Sequence, residues 1–134
     1  MKRIICFLLL SPMFLSSCNK NSEANIALDG TYTGTFTRVG MVLTEPVPVQ
    51  IHFTGKAFAG ESDKSRHPDI CNGEFAITGD SVNFKNACVF PADFDWSLIL
   101  EGKYRISSTG DSLTISRMYV GIIVYSDTYR LKKQ

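Results

Sequence analysis

The chain has 134 residues, with 14 Lys and Arg against 13 Asp and Glu and a formal net charge of +1. That is one domain's length, and so even a balance gives no electrostatic footprint for nucleic acid. A chain this short buries one core and leaves no room for a two-domain enzyme.

Residues 1–17 open with Lys2 and Arg3, run through the apolar Ile4-Ile5-Cys6-Phe7-Leu8-Leu9-Leu10 and close on Ser16-Ser17. This is the layout of a secretory signal peptide. Ser11 and Pro12 interrupt the apolar run, which falls short of the roughly 20 residues that span a bilayer. The following Leu15-Ser16-Ser17-Cys18 resembles the lipobox of bacterial lipoproteins, in which the cysteine is acylated and becomes the first residue. The resemblance implies cleavage before Cys18 and lipidation of its thiol, so that the domain works tethered to a membrane. Several acyl chains hold a soluble domain far more firmly than one. Lys2 and Arg3 are the only charges removed, so the remainder carries 12 basic and 13 acidic side chains.

Residues 18–28 read as a lipidated N-terminus and flexible tether, since 19–25 are polar with no apolar period. The folded domain is expected over 29–134. Of the four cysteines, Cys6 leaves with the signal segment and Cys18 takes lipid. Cys71 and Cys88 remain as an even pair in an oxidising compartment and are expected to be bonded to each other.

From Gly30 onward, β-rich or alternating runs are broken by turn residues every ten or so positions, with no sustained helical period. The predicted strands are residues 31–38, 47–54, 57–62, 73–78, 81–85, 97–106, 112–119 and 122–131. Gly55-Lys56, Gly79-Asp80 and Thr109-Gly110-Asp111 supply tight-turn chemistry. Sequential antiparallel pairing is the economical topology, and closing about eight strands into a single up-and-down barrel removes exposed edges. The expected fold class is therefore all-β.

The hairpin at Gly79-Asp80 fixes a register. If those residues form its loop, Thr78 faces Ser81, Ile77 faces Val82, Phe75 faces Phe84 and Glu74 faces Lys85. Cys71 then faces Cys88 in a non-hydrogen-bonded pair, where Cα atoms lie roughly 4.5 Å apart. Apolar side chains inside, a charge pair outside and cysteines at the far end all agree on that register. Alternation further along places Trp96, Leu98 and Leu100, then Leu113 and Ile115, then Ile123 and Tyr125 in the core. An eight-stranded barrel is just wide enough to be filled by side chains or to hold one small ligand, and strands lined by Phe, Trp, Leu and Ile favour the filled form.

Gly30-Thr31-Tyr32-Thr33-Gly34-Thr35-Phe36, the run 95–104 beginning Asp95-Trp96, Gly110-Asp111-Ser112-Leu113-Thr114-Ile115 and the closing Tyr129-Arg130-Leu131 resemble the small lipocalin-like lipoproteins of Bacteroidetes. The resemblance implies a barrel and a membrane tether. Where lipocalins proper carry Gly-X-Trp on the first strand, this chain has Gly30-Thr31-Tyr32, with Arg130 as the late basic residue.

Candidate chemistry is sparse. His67 with Asp63 and Asp69 lacks zinc-type spacing and reads as a polar loop, so no metal or other cofactor is expected. No Gly-X-Ser-X-Gly elbow occurs. The carboxylates of Asp93 and Asp95 sit in a turn-rich connection and are not read as an acid–base pair. No enzymatic activity is therefore expected. Tyr119, Tyr125 and Tyr129 are candidates to line a ligand mouth, since barrel mouths are binding locations. The first functional expectation is a tethered binding module for a small apolar ligand. The second is a lipoprotein with a filled barrel that binds another envelope protein as an inhibitor or assembly accessory. The expected setting is the outer membrane, facing the periplasm, as a monomer.

Overall fold

Residues 47–54 alternate without a break, with Val47, Val49, Ile51 and Phe53 buried and Pro48, Gln50, His52 and Thr54 exposed. That period of two is what a strand with one face on a core requires. The computed structural model describes residues 26–134, so the signal segment, Cys18 and residues 19–25 of the tether lie outside the described residues. Eight strands follow: β1 (Gly30–Val39), β2 (Val47–Thr54), β3 (Ala57–Ser62), β4 (Cys71–Thr78), β5 (Ser81–Asn86), β6 (Gly102–Thr109), β7 (Ser112–Tyr119) and β8 (Tyr125–Lys133). Each pairs antiparallel with the next, and β8 returns to β1 to close the barrel.

The β4–β5 hairpin has the predicted register, from Thr78 opposite Ser81 through Phe75 opposite Phe84 to Gly73 opposite Asn86. Cys71 and Cys88 are bonded, with Cα atoms 6.4 Å apart. The spacing is wider than the ladder predicts because β5 ends at Asn86, whose side chain accepts the Cys88 amide at 2.9 Å. At the other partner, Cys71 turns out of the strand with φ of 50°.

Antiparallel sequential pairing sorts the connections. The tight turns at Gly55, Gly79 and Gly110 all have positive φ and lie at one end, the hairpin end. The long connections 40–46, 63–70, 87–101 and 120–124 lie at the other, the loop end. Ile26 and Leu28 pack onto the core at the hairpin end, so residues 26–28, expected from the sequence to be flexible, pack with the fold, and the chain enters the barrel opposite its long loops.

Rings from non-adjacent strands meet across the interior. Phe53 of β2 lies 6.5 Å from Phe84 of β5, Phe58 of β3 is 5.1 Å from Phe84, and Tyr104 of β6 is 6.3 Å from Tyr129 of β8. Ile51, Val82, Leu113 and Ile115 fill in around them. The barrel interior is thus occupied by side chains. Gly34 lets β1 and β8 approach, since a Cβ there would overlap the Arg130 carbonyl.

Two expectations are corrected. Residues 97–106 are not one strand: Trp96–Leu98 form a 3-10 helix, and β6 starts at Gly102. Leu98, Ile99 and Leu100 are buried in succession, which a strand with one face in solvent does not allow; the segment lies over the loop end. Trp96 consequently points outward, 59% exposed. Residues 122–124 are loop, and β8 runs to Lys133. Ile123, expected in the core, is exposed.

Candidate functional site

At the loop end, inward positions that hold aliphatic side chains deeper in the barrel become charged and aromatic. Arg38 and Asp127 face each other in the β1–β8 register. The Arg38 guanidinium donates twice to the Asp127 carboxylate, at 2.6 and 2.7 Å, and also reaches Ser97 Oγ and the Ser97 carbonyl. Burial opposes the Arg38 charge, but the hydrogen bonds and charge of Asp127 outweigh it, and its pKa is raised.

A ladder of cations and rings continues from there. Arg38 lies over Tyr125 at 4.4 Å, Tyr125 stacks on Tyr119 at 4.4 Å, and Arg117 lies 4.2 Å from both Tyr119 and Tyr104. Such contacts contribute about 0.5–2 kcal/mol each. The Ser97 carbonyl accepts from Arg38, Arg117 and the Tyr119 hydroxyl, so the ladder clamps the 3-10 helix over the barrel.

The three tyrosines read from the sequence as lining a mouth therefore part company. Tyr119 and Tyr125 are half-buried in the clamp, whereas Tyr129 is buried in the core against Phe36 at 4.9 Å. Burial drives the Tyr129 pKa well above its ordinary value and pushes Tyr104 up to about 12, so both hydroxyls stay neutral.

Of the candidate polar residues only Asp95 joins the Arg38–Asp127 pair, 3.7 Å from the Arg38 guanidinium. Asp95 caps the 3-10 helix through the Ser97 amide at 3.1 Å, and Asp93 is an exposed partner of Arg66 at 3.5 Å. His52 sits on the outer wall between Thr31 and Thr54 hydroxyls. His67 packs edge-on to Phe36, with its Nε2 buried and unpartnered; burial first, and then Lys64 and Arg38, lower its pKa against the opposing pull of Asp127 and Asp95. Among the described residues no group of three metal-ligating side chains gathers.

What sequence reasoning missed is the division of the loop end into unlike halves. Connections 63–70 and 87–101 are charged and zipped together, with Asp69 exchanging backbone hydrogen bonds with Leu98 and Leu100. Connection 40–46 is uncharged except for Glu45, and connection 120–124 is apolar. Met41, Val42 and Leu43 on the first, and Val120, Ile122, Ile123 and Val124 on the second, are all exposed. The exposed large hydrophobics of the described residues, Val39, Val89, Trp96 and Met118 included, all lie at this end.

Connection 40–46 is held in place at its start. A bridge joins Val39 to Leu43, and Thr44 bonds Arg38 through both its amide and its hydroxyl. A Cβ on Gly40 would come 3.1 Å from Tyr125 Cβ, so the two loops lie side by side. The signal was present in the sequence as nine uncharged residues from Met118 to Ser126 and six from Val39 to Thr44; strand periodicity absorbed them. Comparison with family models, with curated proteins and with solved structures found no match to the chain.

Proposed function

We propose that the mature chain is a membrane-tethered, non-enzymatic docking domain, a lipocalin-like lipoprotein of the cell envelope whose filled barrel is a rigid mount for an apolar rim. The observation that carries this reading is the gathering of exposed aliphatic side chains on two neighbouring loops. A contiguous apolar patch of this kind marks an interaction surface. A small apolar ligand inside the barrel, the first expectation from the sequence, is less well supported because rings from non-adjacent strands meet in the space it needs. The tether on Cys18 and an outer-membrane, periplasm-facing location are parts of the same proposal.

The test is site-specific photo-crosslinking in native envelopes. A photoreactive residue in place of Ile122 is expected to form adducts with another envelope component, protein or lipid. One in place of Ser107, on the outer face of β6, is expected to form few. Equal yields at the two positions would overturn the reading.

A further inference from the structure

We infer that the apolar rim inserts into a lipid bilayer, with the barrel tilted so that its β8–β1 wall faces the headgroups. This rests on the docking reading and names the surface docked.

Three observations carry it. The first is the layering of the rim. Its tips are aliphatic and without charge over residues 39–44 and 118–126, and the stacked Tyr119 and Tyr125 lie directly beneath. Aliphatic side chains entering the acyl region with tyrosines at headgroup depth is the order a membrane interface selects.

The second is charge. The outward positions of β7, β8, β1 and β2 are mainly Ser and Thr and include no acid, while Arg130 and Lys132 project from β8. Connection 40–46 carries one acid, Glu45, after its apolar tip, whereas Asp63 and Asp93 belong to the opposite half of the rim, on the connections 63–70 and 87–101. Laying the β8–β1 wall toward the bilayer brings Arg130, midway along β8, toward lipid phosphates and lifts Asp63 and Asp93 away. The polar wall keeps the barrel itself out of the acyl region, because a membrane-spanning barrel carries an apolar band on its outside.

The third is reach. The longer strands, of eight to ten residues, tilted as in a small barrel, give a height of about 20–25 Å. The chain from Cys18 to Ile26 extends at most ~29 Å. A tether joined at the hairpin end therefore returns to the same bilayer that the loops enter, and a lipid anchor gains a second, reversible membrane contact.

The experiment uses the mature protein, with its native processing, on phosphatidylcholine vesicles with and without phosphatidylglycerol. Trp96→Phe removes the single native indole, and Ile122→Trp or Ser107→Trp supplies a reporter. Acyl chains carrying bromine are expected to quench and blue-shift the indole at position 122 and to leave that at position 107 unquenched. On vesicles containing phosphatidylglycerol, Arg130→Gln is expected to reduce the inserted population about fivefold, the effect of one surface cation.

Equal quenching at 122 and 107, or none at 122, overturns bilayer insertion. If position 122 then still crosslinks in envelopes, the occupant is a protein and docking stands; if it does not, both readings fall. Light scattering on the same sample covers self-association: a mass that doubles with concentration and is halved by Ile122→Asp assigns the rim to a second copy and likewise overturns insertion.

Discussion

Arg38 on β1 and Asp127 on β8 meet at the seam that closes the barrel, each the other's register partner and each held by two hydrogen bonds between them. The Asp127 side chain is 2% exposed, so removing the cation strands a buried carboxylate. Arg38→Ala is expected to lower unfolding free energy by about 3–5 kcal/mol, and Arg38→Met with Asp127→Leu to recover much of it. Urea denaturation of both variants checks this; an Arg38→Ala protein of unchanged stability contradicts it.

The Cys71–Cys88 bond closes a loop of 17 residues' separation. Chain-entropy reasoning gives about 3 kcal/mol for a loop of this size. Replacing both cysteines by serine is expected to cost that much and to leave a folded barrel, because the core is supplied by all eight strands. Peptide mapping without reduction should recover the two cysteine peptides joined, and free thiols at both would contradict the bond.

His67 ties stability to mild acid. Its pKa in the fold lies below the ordinary 6.5, so the unfolded chain takes up the proton first as pH falls. Stability from this group is complete above 6.5 and declines as pH drops through that value, levelling off below the folded pKa. Wild type is expected to lose more stability than His67→Phe between solutions above and below 6.5. Parallel urea midpoints for the two would contradict the assignment.

Trp96 and Phe84 are expected to behave oppositely. Trp96 is a rim residue touching Phe90 at 6.2 Å, whereas Phe84 is buried at the centre of the aromatic packing. Phe84→Ala should cost about 3–5 kcal/mol, and Trp96→Ala less than about 1 kcal/mol, as surface changes do. Native Trp96 fluorescence should be solvent-like and accessible to acrylamide. A blue-shifted, protected indole would place Trp96 inside.

Acylation of Cys18 is checked by intact mass. Protein purified from membranes is expected to lack residues 1–17 and to carry added acyl mass, and Cys18→Ala to be released or stalled. An unmodified mature chain in the soluble fraction would contradict the tether.

Much of the barrel was legible because strict alternation and glycine turns act locally. Residues 47–54, 57–62 and 112–119 are strands with the predicted bounds, and one dipeptide, Gly79-Asp80, fixed the register of β4 on β5. The segment from Trp96 to Leu100 misled because Trp96, Leu98 and Leu100 alternate as a strand does. Asp95, a capping residue before a short helix, was the competing signal. The Arg38–Asp127 pair was invisible, since partners 89 residues apart meet only once the barrel closes. The apolar rim was visible as composition, but its exposure depends on two loops standing side by side at the end of the closed barrel.

On the proposed reading, the domain works through its apolar rim. The most direct measurement is carbene footprinting of the intact protein, compared between native envelopes and detergent solution. Connections 40–46 and 120–124 are expected to lose labelling in envelopes, while the charged half, at residues 63–69 and 91–95, stays equally labelled in both. Equal labelling of the apolar loops in the two settings would contradict docking through this rim.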